Sequence, residues 1–132
     1  MEDPAIYRTR DPYNELSDIQ SFLEITVGEQ IEEVVERGKD IQVYMARTGY
    51  LLAQAKRELN AAMSSEVMNI LREAARGAGA SHTAVNALVK SACKDEQYLV
   101  DWIERMNRTA THQLDFCRTL ISLEKERMNQ HL

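Results

Sequence analysis

Three histidines, two cysteines and a scatter of carboxylates are the residues of this chain that could do chemistry. A dinuclear carboxylate site in a helical bundle needs Glu-x-x-His on two helices. His82, His112 and His131 have Gly79, Thr109 and Met128 three residues earlier, so the pattern fails at each. No recognised ligand spacing joins a histidine to a cysteine or carboxylate, and neither a metal nor another cofactor is expected. Cys117 follows His112 by five residues. On a helix that spacing turns the two side chains about 140° apart, which defeats a thiol–imidazole pair. Gly77-Ala78-Gly79 lacks the lysine and the preceding strand of a phosphate-binding loop, and reads as an interhelical turn. No catalytic residue emerges, and a non-enzyme is expected.

The remaining polar groups suggest surfaces. Glu32, Glu33, Glu36 and Asp40 crowd one stretch and read as a solvated helical face. Glu33 with Arg37, Asp101 with Arg105 and Glu104 with Arg108 stand four apart, the acid first, each worth about 0.2–0.5 kcal/mol if paired. Arg105, Arg108, His112 and Arg118 form the best basic cluster, a candidate polar or anion-contacting face. Trp102 lies nearby and would permit base stacking. It sits on an apolar stripe, however, and Asp101, Glu104 and Asp115 offset the cluster's charge. Asn107, Thr109, Thr111 and Ser122 would need a satisfied polar network if their face were buried, and such a network would fix helix register. The Asn107-Arg108-Thr109 sequon is without meaning in the absence of a secretion signal, and acidic Met1-Glu2-Asp3-Pro4 gives no such expectation.

The elements that must position these groups follow from composition. The chain has 132 residues, and its only two prolines, Pro4 and Pro12, fall in the first twelve. A proline in a helix interior costs about 3 kcal/mol, so the long proline-free remainder suits long helices. Sixteen basic against 21 acidic residues give a net charge of −5. That balance argues against nucleic acid and anionic membranes as partners. No apolar run is long enough to span a bilayer. Cys93 and Cys117 would lie about 36 Å apart on one helix, too far for a disulfide, and reduced thiols in a cytoplasmic protein are expected.

Residues 1–15 read as an extended arm, and 16–132 as a single helical domain. Capping boxes at Ser17 and Thr26 predict helices over about 17–24 and 27–62. From Ile31 the pattern is heptad. Ile31, Gly38, Met45, Leu52 and Leu59 take one seam position; Val34, Ile41, Thr48, Ala55 and Ala62 take the other. Ser64-Ser65 offers a break and a third helix over about 65–76. Ser81 caps a last helix over about 82–129, bent near 107–109 where propensity is low. Its stripe includes Leu99, Trp102 and Met106.

These readings combine into an all-α fold, an elongated helical bundle or hairpin with coiled-coil character that forms oligomers. The expected function is a non-catalytic protein–protein interaction module that self-associates. Its interface would use Ile31, Val34, Gly38, Ile41, Met45, Leu52, Leu59, Leu99, Trp102 and Met106. Two alternatives stand beside it. One is a small acidic inhibitor or accessory protein, of mobile-element or phage type, that binds a nucleic-acid-handling complex. The other is a regulator contacting nucleic acid through the arginine face.

Overall fold

The computed structural model describes residues 12–75 and 81–131. Among these residues there are four helices and no strand: α1 (Pro12–Leu23), α2 (Ile31–Ala75), α3 (His82–Ala92) and α4 (Lys94–Gln130). The chain is all-α, as the proline distribution and helical periodicity predict. Among the described residues no helix is long and apolar enough to cross a membrane.

The helix boundaries depart from the sequence reading at four places. Residues 12–15, expected in the arm, open α1. Proline is well placed there, because the first helical N–H has no intrahelical partner to lose. The rest of the expected arm and the Gly77–Gly79 turn lie outside the described residues. Helix α2 begins at Ile31 and not at 27, after a connection in which the Glu33 carboxylate occupies the space a side chain at Gly28 would need. The expected break at Ser64-Ser65 is absent, and α2 runs on to Ala75. Residues 63–65 are exposed, so nothing draws the chain out of the helix there, and two serines cost only tenths of a kcal/mol each.

The fourth difference is in the last segment. The helix is unbroken at 107–109 and interrupted instead at Cys93. Ser81 caps α3 as expected, its Oγ accepting the Ala84 N–H at 3.2 Å. At the other end Cys93 adopts φ −105°, ψ 19°, while its N–H still donates to Val89 O at 3.0 Å. Val89 and Cys93 are buried and residues 90–92 between them are exposed, so the interruption lies beside a buried thiol.

The chain divides into two compact units. One takes the chain through Thr48 and again from Arg105 onward; the other is Gly49–Glu104. In the first unit three helical segments enclose a core. Helix α1 supplies Leu16, Ile19 and Leu23, and α2 supplies Val34 and Ile41. Helix α4 adds Met106, Ala110, Leu114 and Cys117. The three- and four-residue spacing on α1 and α4 puts each set on one stripe. Gly38 is buried against this core: a Cβ there would stand 3.8 Å from Leu114 Cδ1 and 3.9 Å from Cys117 Cβ.

The second unit has a thinner interior of Ala55, Leu59, Val89, Cys93, Val100 and Ile103. Of the largest fully buried side chains, Leu16, Ile19, Ile41, Met106, Val34 and Thr48 belong to the first unit and only Ile103 to the second. Each fully buried aliphatic side chain stabilises by about 1.5–3 kcal/mol, so the first unit holds most of the hydrophobic driving force.

Candidate functional site

The expected interface residues divide between interior and half-exposed positions. Val34, Gly38, Ile41 and Met106 are buried within the first unit, and Leu59 is buried within the second. These positions are covered by this chain's own packing. Ile31 and Met45 in the first unit, and Leu52, Leu99 and Trp102 in the second, are half-buried. The Trp102 ring lies 6.4 Å from that of Tyr98. Arg105, Arg108, His112 and Arg118 are all exposed. Arg118 pairs with Asp115 at 3.5 Å, one turn earlier on the same helix. The acidic run Glu32, Glu33, Glu36 and Asp40 is exposed as well, with Glu36 bound to Lys39 at 3.3 Å.

A polar assembly that the spacing did not foretell occupies the first unit. Arg37 does not take Glu33 as its partner. Its Nη2 donates to the Phe22 carbonyl at 2.9 Å and to Gln113 Oε1 at 3.1 Å, and its guanidinium carbon lies 4.0 Å from the centre of the Phe22 ring. Gln113 Nε2 in turn donates to the Leu23 carbonyl at 2.7 Å. The last carbonyls of α1 have no partner within the helix, and a cation near them is favoured by the helix dipole. Arg37 and Gln113 therefore terminate α1 from two other helices. Phe22 also packs on Tyr44, the rings 4.6 Å apart.

Two further contacts join segments of this unit. Arg47 grips the Glu15 carboxylate with two N–H groups, the Nη2–Oε2 bond at 2.9 Å. This pair was hidden from the sequence reading because Glu15 was assigned to the arm; Pro12 as a helix-opening residue was the available signal. Asn107 Nδ2 donates to Met45 O at 3.1 Å and to Thr48 Oγ1 at 2.9 Å. Thr48 is completely buried, and its hydroxyl donates back to Tyr44 O at 2.8 Å. Thr111 closes the set by donating to Asn107 O at 2.9 Å. Asn107 thus sits in a polar network between α2 and α4, whereas Ser122 is exposed and Arg118 belongs to the surface. The helix continues through the low-propensity stretch 107–109, where the Asn107 side chain is bonded in place.

The second unit offers a different kind of surface. Met63, Val67 and Leu71 are exposed at i, i+4 and i+8 on α2, with Met68 beside them. Leu88 on α3 and Tyr98 on α4 are exposed too. Leu59, Met63, Val89 and Tyr98 line a cavity of about 470 Å³ with Cys93. Its polar bonds include three local ones, Gln97 to Asp101 at 2.9 Å, Asn86 to His82 at 3.2 Å and the Ser81 cap.

Both cysteines are free and buried. Burial pushes the Cys93 thiol above the ordinary range, with Glu96 and Glu66 adding to the effect. Burial raises Cys117 as well, against the Arg37 charge, which favours the thiolate. Neither thiol is poised as a nucleophile, since reactivity follows thiolate character and access. Among the described residues no three His, Cys, Asp or Glu side chains converge on a point that could hold a metal ion. The chain matches no protein-family model, no curated protein and no solved structure.

Proposed function

We propose that the protein is a non-catalytic helical interaction module that self-associates through the second unit. The observation that carries this reading is the exposed row Met63, Val67 and Leu71 on α2. Apolar residues four apart on one helix make a continuous stripe, and a stripe left in water favours burial against another surface. A second copy is the simplest partner. It brings the same stripe, so a two-fold pairing covers both at once. Met68 and Met63 add adaptable side chains to such a contact. A net charge of −5 and two buried free thiols support a cytoplasmic setting for it.

Light scattering coupled to gel filtration, over a tenfold concentration range, tests the proposal. The expected mass is twice the 15.1 kDa of one chain, falling to one chain in the double variant Met63→Glu, Leu71→Glu. Because both positions are exposed, the helical circular dichroism should be unchanged. A 15.1 kDa mass for the unaltered protein at every concentration would refute self-association.

A further inference from the structure

The structure assigns a second property to the first unit: we propose that the pocket beside Arg37 binds a small monocarboxylate with a short apolar tail. Arg37 is only 9% exposed, yet it has no carboxylate partner. Its acceptors are neutral, a carbonyl and an amide oxygen, and both are held by the single nitrogen Nη2. Nε and Nη1 carry three more N–H donors. No fully buried side-chain nitrogen or oxygen lacks a hydrogen bond among the described residues, so these donors keep contact with solvent. Arg37 lines a pocket of about 240 Å³, which offers these donors a place to meet a ligand.

The neutral acceptors and the α1 terminus hold Arg37 in place, and a ligand that brings an oxyanion to the free side of the guanidinium would add a charge-assisted pair that the fold does not supply. The other walls specify the rest of the ligand. Leu23, Val27 and Ile41 face the same pocket, and Ile25 and Phe116 stand on it while 61% and 55% exposed. The fold leaves these two large side chains uncovered; an aliphatic tail would cover them. Glu24 also lines the pocket and accepts from Gln20 at 3.0 Å. Glu24 opposes any anion, so the ligand least opposed carries one charge, held at Arg37 with its uncharged part toward Glu24, as a monocarboxylate does. At about 30 Å³ for each water-sized group, the volume admits roughly eight heavy atoms, the size of a five- or six-carbon acid.

This inference is independent of self-association and concerns different residues. Its test is a titration of the full-length protein, labelled with ¹⁵N, using 4-methylpentanoate and, in parallel, the uncharged 4-methylpentanamide. The expected result is saturable shifts in the Gln113 side-chain amide and in backbone amides 23–27. The acid should bind at least tenfold more tightly than the amide. Phe116→Ser should weaken the acid several-fold without altering the rest of the spectrum, and Arg37→Gln should abolish the difference between acid and amide. Equal binding of acid and amide, or no saturable shift at these positions with the acid, would overturn the proposal. The comparison of the two probes on unaltered protein decides the matter even if Arg37→Gln fails to fold.

Discussion

The two units differ in how their helices are held in register. In the first, side chains reach between helices to specific polar atoms: Arg37 and Gln113 to the end of α1, Arg47 to Glu15, Asn107 to Met45 and Thr48. In the second, the buried interior is apolar and thinner, and an apolar row on α2 faces water. A directional bond between buried polar groups tolerates one register, because a slip leaves each group unpaired. Apolar packing tolerates neighbours of several kinds. The polar bonds of the first unit therefore specify its register, while the apolar interior of the second constrains its neighbours less.

The largest test of that difference is core truncation. Ile41→Ala in the first unit should cost about 3–4 kcal/mol, since Ile41 is fully enclosed. Leu59→Ala in the second should cost about 2 kcal/mol, the site being nearer to solvent and better able to collapse. Urea unfolding followed by circular dichroism measures both, and equal losses would break the contrast. A smaller effect is expected at the polar network. Asn107→Ala leaves Thr48 without its donor and should cost about 1–2 kcal/mol. The same denaturant series checks it, and a change within 0.3 kcal/mol would mean the network does not set register. The smallest effect has the opposite sign. At Gly38 a methyl group would meet Leu114 and Cys117 at ordinary contact distance, 3.8 and 3.9 Å. Gly38→Ala should therefore stabilise by about 0.5–1 kcal/mol through helix propensity alone. Destabilisation in the same measurement would show that the first unit is packed more tightly than its distances imply.

Of the two seven-residue rows in the sequence, Ile31, Gly38, Met45, Leu52 and Leu59 mix buried and half-buried positions. The other, Val34, Ile41, Thr48 and Ala55, is buried throughout, and Ala62 half so. What the heptad does not reveal is which helix covers each seam position. Part of the seam expected at an oligomer surface is enclosed within the first unit, where Leu114 and Cys117 of α4 stand against Gly38. Arg37 shows the same gap at a single residue. Its i−4 neighbour Glu33 offers a few tenths of a kcal/mol in a solvated pair. The Phe22 carbonyl, the Phe22 ring and Gln113 together offer more, and the nearest signal for them lies 15 and 76 residues away in sequence.

By itself, then, the sequence determined the helical class, the Ser81 cap and the buried face of α2. These follow from local rules: proline placement, N-cap chemistry and the 3.6-residue period. Tertiary structure decided where the helices end, which cations are enclosed, and which apolar rows remain open. Those outcomes are set by contacts worth one to several kcal/mol, about ten times the propensity differences that mark a break in the chain. A pair of serines at 64–65 does not stop α2, and α4 continues through Asn107, whose amide is held by Met45 and Thr48.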